Sequence, residues 1–236
     1  MGLILRVDVD KPYGNSTFFR KIISKIIEDF IPIPFIGTYT YLSHLKDFLF
    51  FCNKEGIKAF VYHRNCTRPD NSTVELLKLG GHKLGLHAEN TKTFESFENE
   101  LIRMRKKVKG ITVDSFSKHG SGVLKLGKNH YPPYEPEKYI NWAIKAKVNY
   151  FSGNGIATNA FDLESINGFY PGAFWIERDY RDKNFSDIKT VIEISKSKDV
   201  IILIHPCNYQ STLAVRDDFE LLVRLAKENN IEWKVF

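Results

Sequence analysis

Short apolar runs alternate along this chain with amphipathic stretches of helical spacing, and residues able to do chemistry fall where the short runs end. Residues 3–9 alternate apolar and other side chains, which predicts a strand with Asp8 and Asp10 on one face and Val7 and Val9 on the other. A helix is predicted over 42–55, stopped by Gly56, and a second strand over 57–62. Ser72 or Thr73 can cap a short helix that runs to Leu79, where Gly80-Gly81 stops it, and a third strand follows over 82–86. Further helices are expected over 94–108, 136–147, 187–197 and 216–228, with strands over 113–117, 148–151, 169–175 and 200–204.

Strands alternating with helices argue for a parallel sheet with crossover helices. An open doubly wound sheet fits that alternation as well as a barrel does. The polar residues decide between them. Asp8, Asp10, His87, His119 and His205 each lie at or just beyond the C-terminal end of a predicted strand, which is where a barrel collects catalytic groups. The expectation is an α/β fold: a distorted, TIM-like barrel forming one domain over residues 1–236.

A chain of 236 residues with 43% hydrophobic content can bury a full-sized core. No window approaches the roughly 18–20 apolar residues that span a bilayer. Residues 1–5 carry no basic leader, and Cys52, Cys66 and Cys207 form no CxxC pair, so a cytoplasmic setting is expected. A net charge of +6 suits an anionic ligand or a membrane surface without requiring either. Basic residues and aromatics do not interleave in a nucleic-acid-binding motif, and no nucleic-acid partner is expected.

Four segments carry the chemistry. In Arg6-Val7-Asp8-Val9-Asp10 two carboxylates share a strand face, close enough to disfavour each other's charge unless a cation lies between them. In Gly81-His82-Lys83-Leu84-Gly85-Leu86-His87, His82 sits early in the strand as a structural residue, whereas His87 ends it and can offer a neutral imidazole to a metal. Ser117-Lys118-His119-Gly120 puts a histidine before a glycine-rich turn, and Leu203-Ile204-His205-Pro206 delivers another at the end of an apolar strand. Any one of these histidines alone would be an ordinary hydrogen-bonding residue; together at successive strand ends they indicate a site.

The order DxD, GHxxGxH, glycine turn and LIHP resembles the polysaccharide deacetylase (NodB-like, carbohydrate esterase 4-type) family along nearly the whole chain, in a divergent branch similar to deacetylases of O-antigen biosynthesis. The resemblance implies a distorted (β/α)7 barrel that hydrolyses N-acetyl, sometimes O-acetyl, groups of sugars around one divalent metal, zinc first, with iron, cobalt or nickel as alternatives. It implies Asp8 as general base, Asp10 and His87 as metal ligands and His205 as general acid. The family's second metal histidine would fall at Thr91, a poor ligand, which leaves the third position to His119, His63 or Glu89. Lys118 stands near the place of a family arginine that orients the base.

Lys118, Tyr134 and Trp175 are the candidate substrate-binding residues, the two aromatics offering faces on which a sugar ring could stack, although core packing accounts for them equally well. Between Asp10 and Leu42 an insertion over about 11–41 leaves the first strand. In it Phe19, Ile22, Ile23, Ile26, Ile27 and Phe30 recur at helical spacing opposite Arg20, Lys21 and Lys25. A lid helix is the plainer expectation, and peripheral membrane contact through about 18–30 the sharper one. Two rival readings are an HxH-type barrel hydrolase, disfavoured by DVD on the first strand, and a glycan-binding barrel without activity.

Overall fold

In the computed structural model of the chain, the residues described are 1–10, 41–120, 129–166 and 168–236. The expected helix within 11–41, its lid or membrane role, and the glycine-rich turn expected after Gly120 therefore lie almost wholly outside the described residues. The elements are β1 (Gly2–Val9), α1 (Tyr41–Glu55), β2 (Ala59–His63), α2 (Asn71–Leu79), β3 (Lys83–Ala88), α3 (Phe94–Lys107) and β4 (Val113–Lys118). They continue with α4 (Pro136–Lys145), β5 (Tyr150–Ile156), β6 (Tyr170–Trp175), α5 (Ile188–Ser195), β7 (Val200–Ile204), α6 (Pro206–Ser211), α7 (Leu213–Glu228) and the short β8 (Glu232–Trp233).

Strands β1 to β7 pair in sequence order, all in parallel, and β7 pairs back onto β1, so the sheet closes into a seven-stranded barrel. β8 adds to β1 beside Gly2 and Leu3. Closure leaves no edge in the barrel proper, and it brings all the strand C-termini to one rim.

Alternation along the strands sorts the buried residues into two layers. Leu3, Leu5 and Val7 of β1, Ala59 and Val61 of β2, and Ile202 and Ile204 of β7 pack with helix residues such as Leu45, Phe48, Leu101 and Phe219. Ile4 of β1, Phe60 and Tyr62 of β2, Tyr150 of β5 and Ile201 and Leu203 of β7 pack with one another, in a cluster that holds no helix residue among the described residues. The second layer is the barrel interior, and Arg6, Asp8 and Asp10 share the parity of Ile4. Gly85 of β3 is required by this interior, because a Cβ there would collide with the ring of Tyr62.

The helix capping differs from expectation at α2. The cap is Asp70, whose carboxylate accepts from the backbone N–H and the hydroxyl of Thr73 at 2.8 and 2.6 Å, with Lys46 at 3.0 Å fixing it from α1. A carboxylate that gains a cation as well as the amide outcompetes the neutral hydroxyls of Ser72 and Thr73. Among the described residues no helix is long and apolar enough to cross a membrane.

Candidate metal and catalytic site

The rim gathers the strand-end residues. β1 brings Asp8 and Asp10, β3 brings His87, β4 brings His119 one residue past its end, and β7 brings His205. His87 Nε2 lies 2.7 Å from Asp10 Oδ1, His205 Nε2 3.1 Å from Asp10 Oδ2, and His119 Nε2 3.9 Å from Asp10 Oδ2. Three imidazoles from three strands thus turn Nε2 toward one carboxylate. Asp8 Oδ2 stands 3.6 Å from His87 Nε2.

These positions test whether a cation fits. Donor atoms of Asp10, His87 and His119 all lie within 4.8 Å of one another, as do those of Asp8, Asp10 and His205. Asp10 Oδ1 and His87 Nε2 are buried and close, yet neither has a hydrogen-bond partner among the described residues. Two unsatisfied buried ligand atoms side by side are costly unless a third body satisfies both. One carboxylate and two imidazoles are a donor set suited to zinc, and to iron, cobalt or nickel. Asp10 is held well below the usual carboxylate range: burial opposes this, and His87, His205 and His119 outweigh it. Burial, helped by Arg64, pushes His119 well down, so its imidazole is neutral and able to act as a ligand.

The alternatives for the third ligand are now separated in space. Thr91 is fully buried and its hydroxyl faces Tyr139 Oη at 3.4 Å, in contact with α4. His63 pairs Nδ1 with the Thr67 carbonyl at 2.6 Å, which leaves Nε2 buried with no hydrogen-bond partner among the described residues, but His63 belongs to neither cluster. Glu89 is ion-paired with Arg64 and also belongs to neither.

His205 is held on both sides. Its Nδ1 and its backbone N–H both lie 2.9 Å from Glu177 Oε1, which also accepts from Asn208 at 3.2 Å. Burial alone would lower this imidazole, but Glu177 and then Asp10 raise it well above its ordinary value, so it carries a proton. Asp8 receives Arg6 Nε at 2.9 Å and Nη2 at 2.6 Å. The same guanidinium reaches across the lumen to Ser152 and Gly153 carbonyls and to Asn154 of β5.

Arg6 and Glu177 are neighbours of the candidate site residues Asp8 and His205 that sequence reasoning does not single out. Arg6 reads as one more residue of a strand, although an arginine at inward parity two positions before an aspartate is a usable signal. Glu177 follows Trp175 by two and so keeps its parity past the end of β6, but nothing local ties it to His205.

The candidate substrate residues are placed as follows. Lys118 is fully buried and its ammonium donates to the His119 and Gly120 carbonyls at 2.7 and 2.8 Å; it is Arg6, not Lys118, that contacts Asp8. Burial, then Lys138, lowers this amine to about 8. Tyr134 donates its hydroxyl to the Pro171 carbonyl, closing the gap between the chain after β4 and β6. Trp175 stacks obliquely on His205 with ring centroids 5.9 Å apart, and on Tyr180 at 5.1 Å. Trp175 is thus the one of the three whose ring packs against an imidazole of the cluster, while Lys118 reaches only the main chain of His119.

No protein-family model matches the chain. No curated protein matches it either. Among solved structures, the catalytic domain of peptidoglycan N-acetylglucosamine deacetylase from Eubacterium rectale is similar with a TM-score of 0.46 and 11% identity, over 98% of this chain and 86% of that one. A structure described as KGPDC from Streptococcus mutans follows with a TM-score of 0.35 and 8% identity, over 94% of this chain and 99% of that one. Neither likeness identifies a ligand or a substrate for this chain.

Proposed function

We propose that this protein is a metal-dependent hydrolase that removes N-acetyl, or by the same chemistry O-acetyl, groups from a sugar or surface-polysaccharide precursor. The observation that carries the reading is the convergence of His87, His119 and His205 on the carboxylate of Asp10 with Asp8 beside them. The order of motifs that resembles the polysaccharide deacetylases supports the substrate class.

Asp10, His87 and His119 would hold the cation. When bound, it supplies Lewis acidity toward the acyl oxygen and lowers the pKa of a coordinated water. The chain's own groups divide the remaining work. Asp8, kept in place by Arg6, accepts the proton of the attacking water at Oδ2, the oxygen that faces His87. His205 holds its proton at Nε2 and gives it to the departing amine, while Glu177 keeps Nδ1–H in place. Trp175, whose ring lies beside that of His205, offers an apolar wall for the acetyl methyl.

The reading is tested by metal analysis of the purified protein combined with acetate release from a panel of N-acetylated and O-acetylated oligosaccharides. About one metal ion per chain is expected, with turnover lost in Asp8→Asn and His205→Ala. No stoichiometric metal after reconstitution, together with no acetate released from any member, would overturn the reading in favour of a glycan-binding barrel.

A further inference from the structure

We propose that Glu89, clamped by Arg64, is the positioning residue of His119: it accepts the Nδ1 proton and so keeps Nε2 as the free lone pair turned toward Asp10. The proposal rests on the metal-site reading above for its purpose, but not for its geometry.

The three imidazoles around Asp10 share one arrangement. Each turns Nε2 to that carboxylate, and each turns Nδ1 outward to a group from another strand. His87 Nδ1 meets Ser117 Oγ of β4 at 2.7 Å. His205 Nδ1 meets Glu177 Oε1, beyond β6, at 2.9 Å. His119 Nδ1 is buried and has no hydrogen bond among the described residues, and the group facing it is Glu89 Oε1, just past β3, at 3.9 Å. A buried ring N–H that faces a buried carboxylate at this separation needs only a small side-chain rotation to pair with it, and ligand histidines are commonly oriented by such a bond.

Glu89 is itself fixed for the purpose. Arg64, buried after β2, donates one guanidinium nitrogen to Glu89 Oε1 and another to the carbonyl of Asp10 at 2.6 Å. The backbone of Glu89 is tied at both groups: its N–H donates to Glu100 at 2.9 Å, and its carbonyl accepts from Tyr131 at 3.1 Å. His119 is registered against the same segment, its N–H donating to the Ala88 carbonyl at 2.7 Å. One arginine therefore sets both the main chain that carries Asp10 and the carboxylate behind His119. Glu89 sits at the Nδ1 side of the ring and lies outside both donor clusters, which makes it a support rather than a ligand.

The test uses the full chain, metal-free, with ¹⁵N-labelled histidine. His119 is assigned by its loss in His119→Gln, and its tautomer is read from the ring nitrogen shifts. The wild type is expected to carry the proton at Nδ1, and Glu89→Gln to shift the population toward Nε2–H. A wild-type ring protonated at Nε2, or a tautomer unchanged by Glu89→Gln, would overturn the proposal. Zinc titration is the second readout: a 10–100-fold weaker affinity is expected in Glu89→Gln. An affinity equal to that of a zinc-binding wild type would also overturn it. Failure of the wild type to bind zinc would count against the proposed function alone, because the tautomer result decides the role of Glu89 without metal.

Discussion

The guanidinium of Arg6 holds both oxygens of Asp8 from two residues back on the same strand, Nε to Oδ1 at 2.9 Å and Nη2 to Oδ2 at 2.6 Å. Period-two geometry makes this possible, since both side chains leave β1 on the barrel's inner face. The pair is buried, and the remaining donors of Arg6 are spent on β5 across the lumen. It serves the site by aiming Asp8 and the fold by joining strands that are not neighbours.

Removing one member of this pair should therefore cost stability as well as activity. Arg6→Met leaves Asp8 buried without its partner, and a loss of about 3–5 kcal/mol is expected from the urea unfolding midpoint. Asp8→Asn points an amide NH₂ at guanidinium donors, so destabilisation accompanies its loss of turnover. The double change Arg6→Met/Asp8→Leu removes both charges and should be less destabilised than the two single losses combined. Strict additivity would show that the pair has no coupling.

Glu177 should act only through His205. Its carboxyl is buried, accepts both N–H groups of that residue, and is kept below its ordinary value because His205 outweighs the opposing effect of burial. His205→Ala is expected to lower kcat/KM by about 10²–10⁴-fold, the usual weight of a general acid. Glu177→Gln should lower it by about tenfold or more in the wild-type background and by nothing further in His205→Ala. An undiminished second loss would mean that Glu177 serves the reaction elsewhere.

The third ligand of the proposed metal site gives another test. Thr91 occupies the position where the family resemblance places a histidine, yet it faces Tyr139 and the α4 side of the barrel. Thr91→Ala should bind zinc as the wild type does, whereas His87→Ala and His119→Ala should each lose stoichiometric zinc by mass spectrometry. Thr91→His should not restore zinc to His119→Ala, and its larger ring in a fully buried space is expected to cost about 1–3 kcal/mol. Zinc lost with Thr91→Ala but kept in His119→Ala would reverse the ligand assignment.

Much of the barrel is legible in the chain because closure obeys local rules: apolar runs, helical spacing and strand-end polar groups each leave a pattern. The limits of legibility are equally physical. The strand expected over 148–151 is really Tyr150–Ile156, because Ser152-Gly153-Asn154-Gly155 reads as turn chemistry. Gly153 is needed where the Pro171 carbonyl presses against β5, while Ser152 and Asn154 meet Arg6 inside, and none of these contacts is local. Lys147, expected in a helix, instead takes φ 51° and turns the chain into that strand. The helix Pro206–Ser211 is too short to show a periodic stripe. The pairing of Glu177 with His205, 28 residues apart, depends on closure of β6 onto β7.

His82 sets an acid limit on stability away from the site. It lies buried at the start of β3, where its Nδ1 accepts the Ala59 N–H at 3.1 Å and its Nε2–H donates to Asn53 Oδ1 at 2.8 Å. The bond from Ala59 requires the neutral ring, because a protonated Nδ1 has no lone pair to accept with, and burial lowers the ring's pKa from 6.5 to about 4. Between those values the unfolded chain binds a proton that the folded chain refuses, so the contribution is present above pH 6.5 and is lost as pH falls through 4. The loss is on the order of 3 kcal/mol at most. Glu100 works in the opposite direction: burial and then Glu89 raise it from 4.5 to about 7, so its contribution is present below pH 4.5 and fades as pH rises through 7. Replacing His82 leaves that second effect in place. His82→Gln can accept from Ala59 and donate to Asn53 but cannot titrate, and its unfolding midpoint should therefore fall less than the wild type's between pH 7 and pH 4.5. Identical pH dependence of the two midpoints would show that His82 is not the group whose protonation opens the α1–β3 junction.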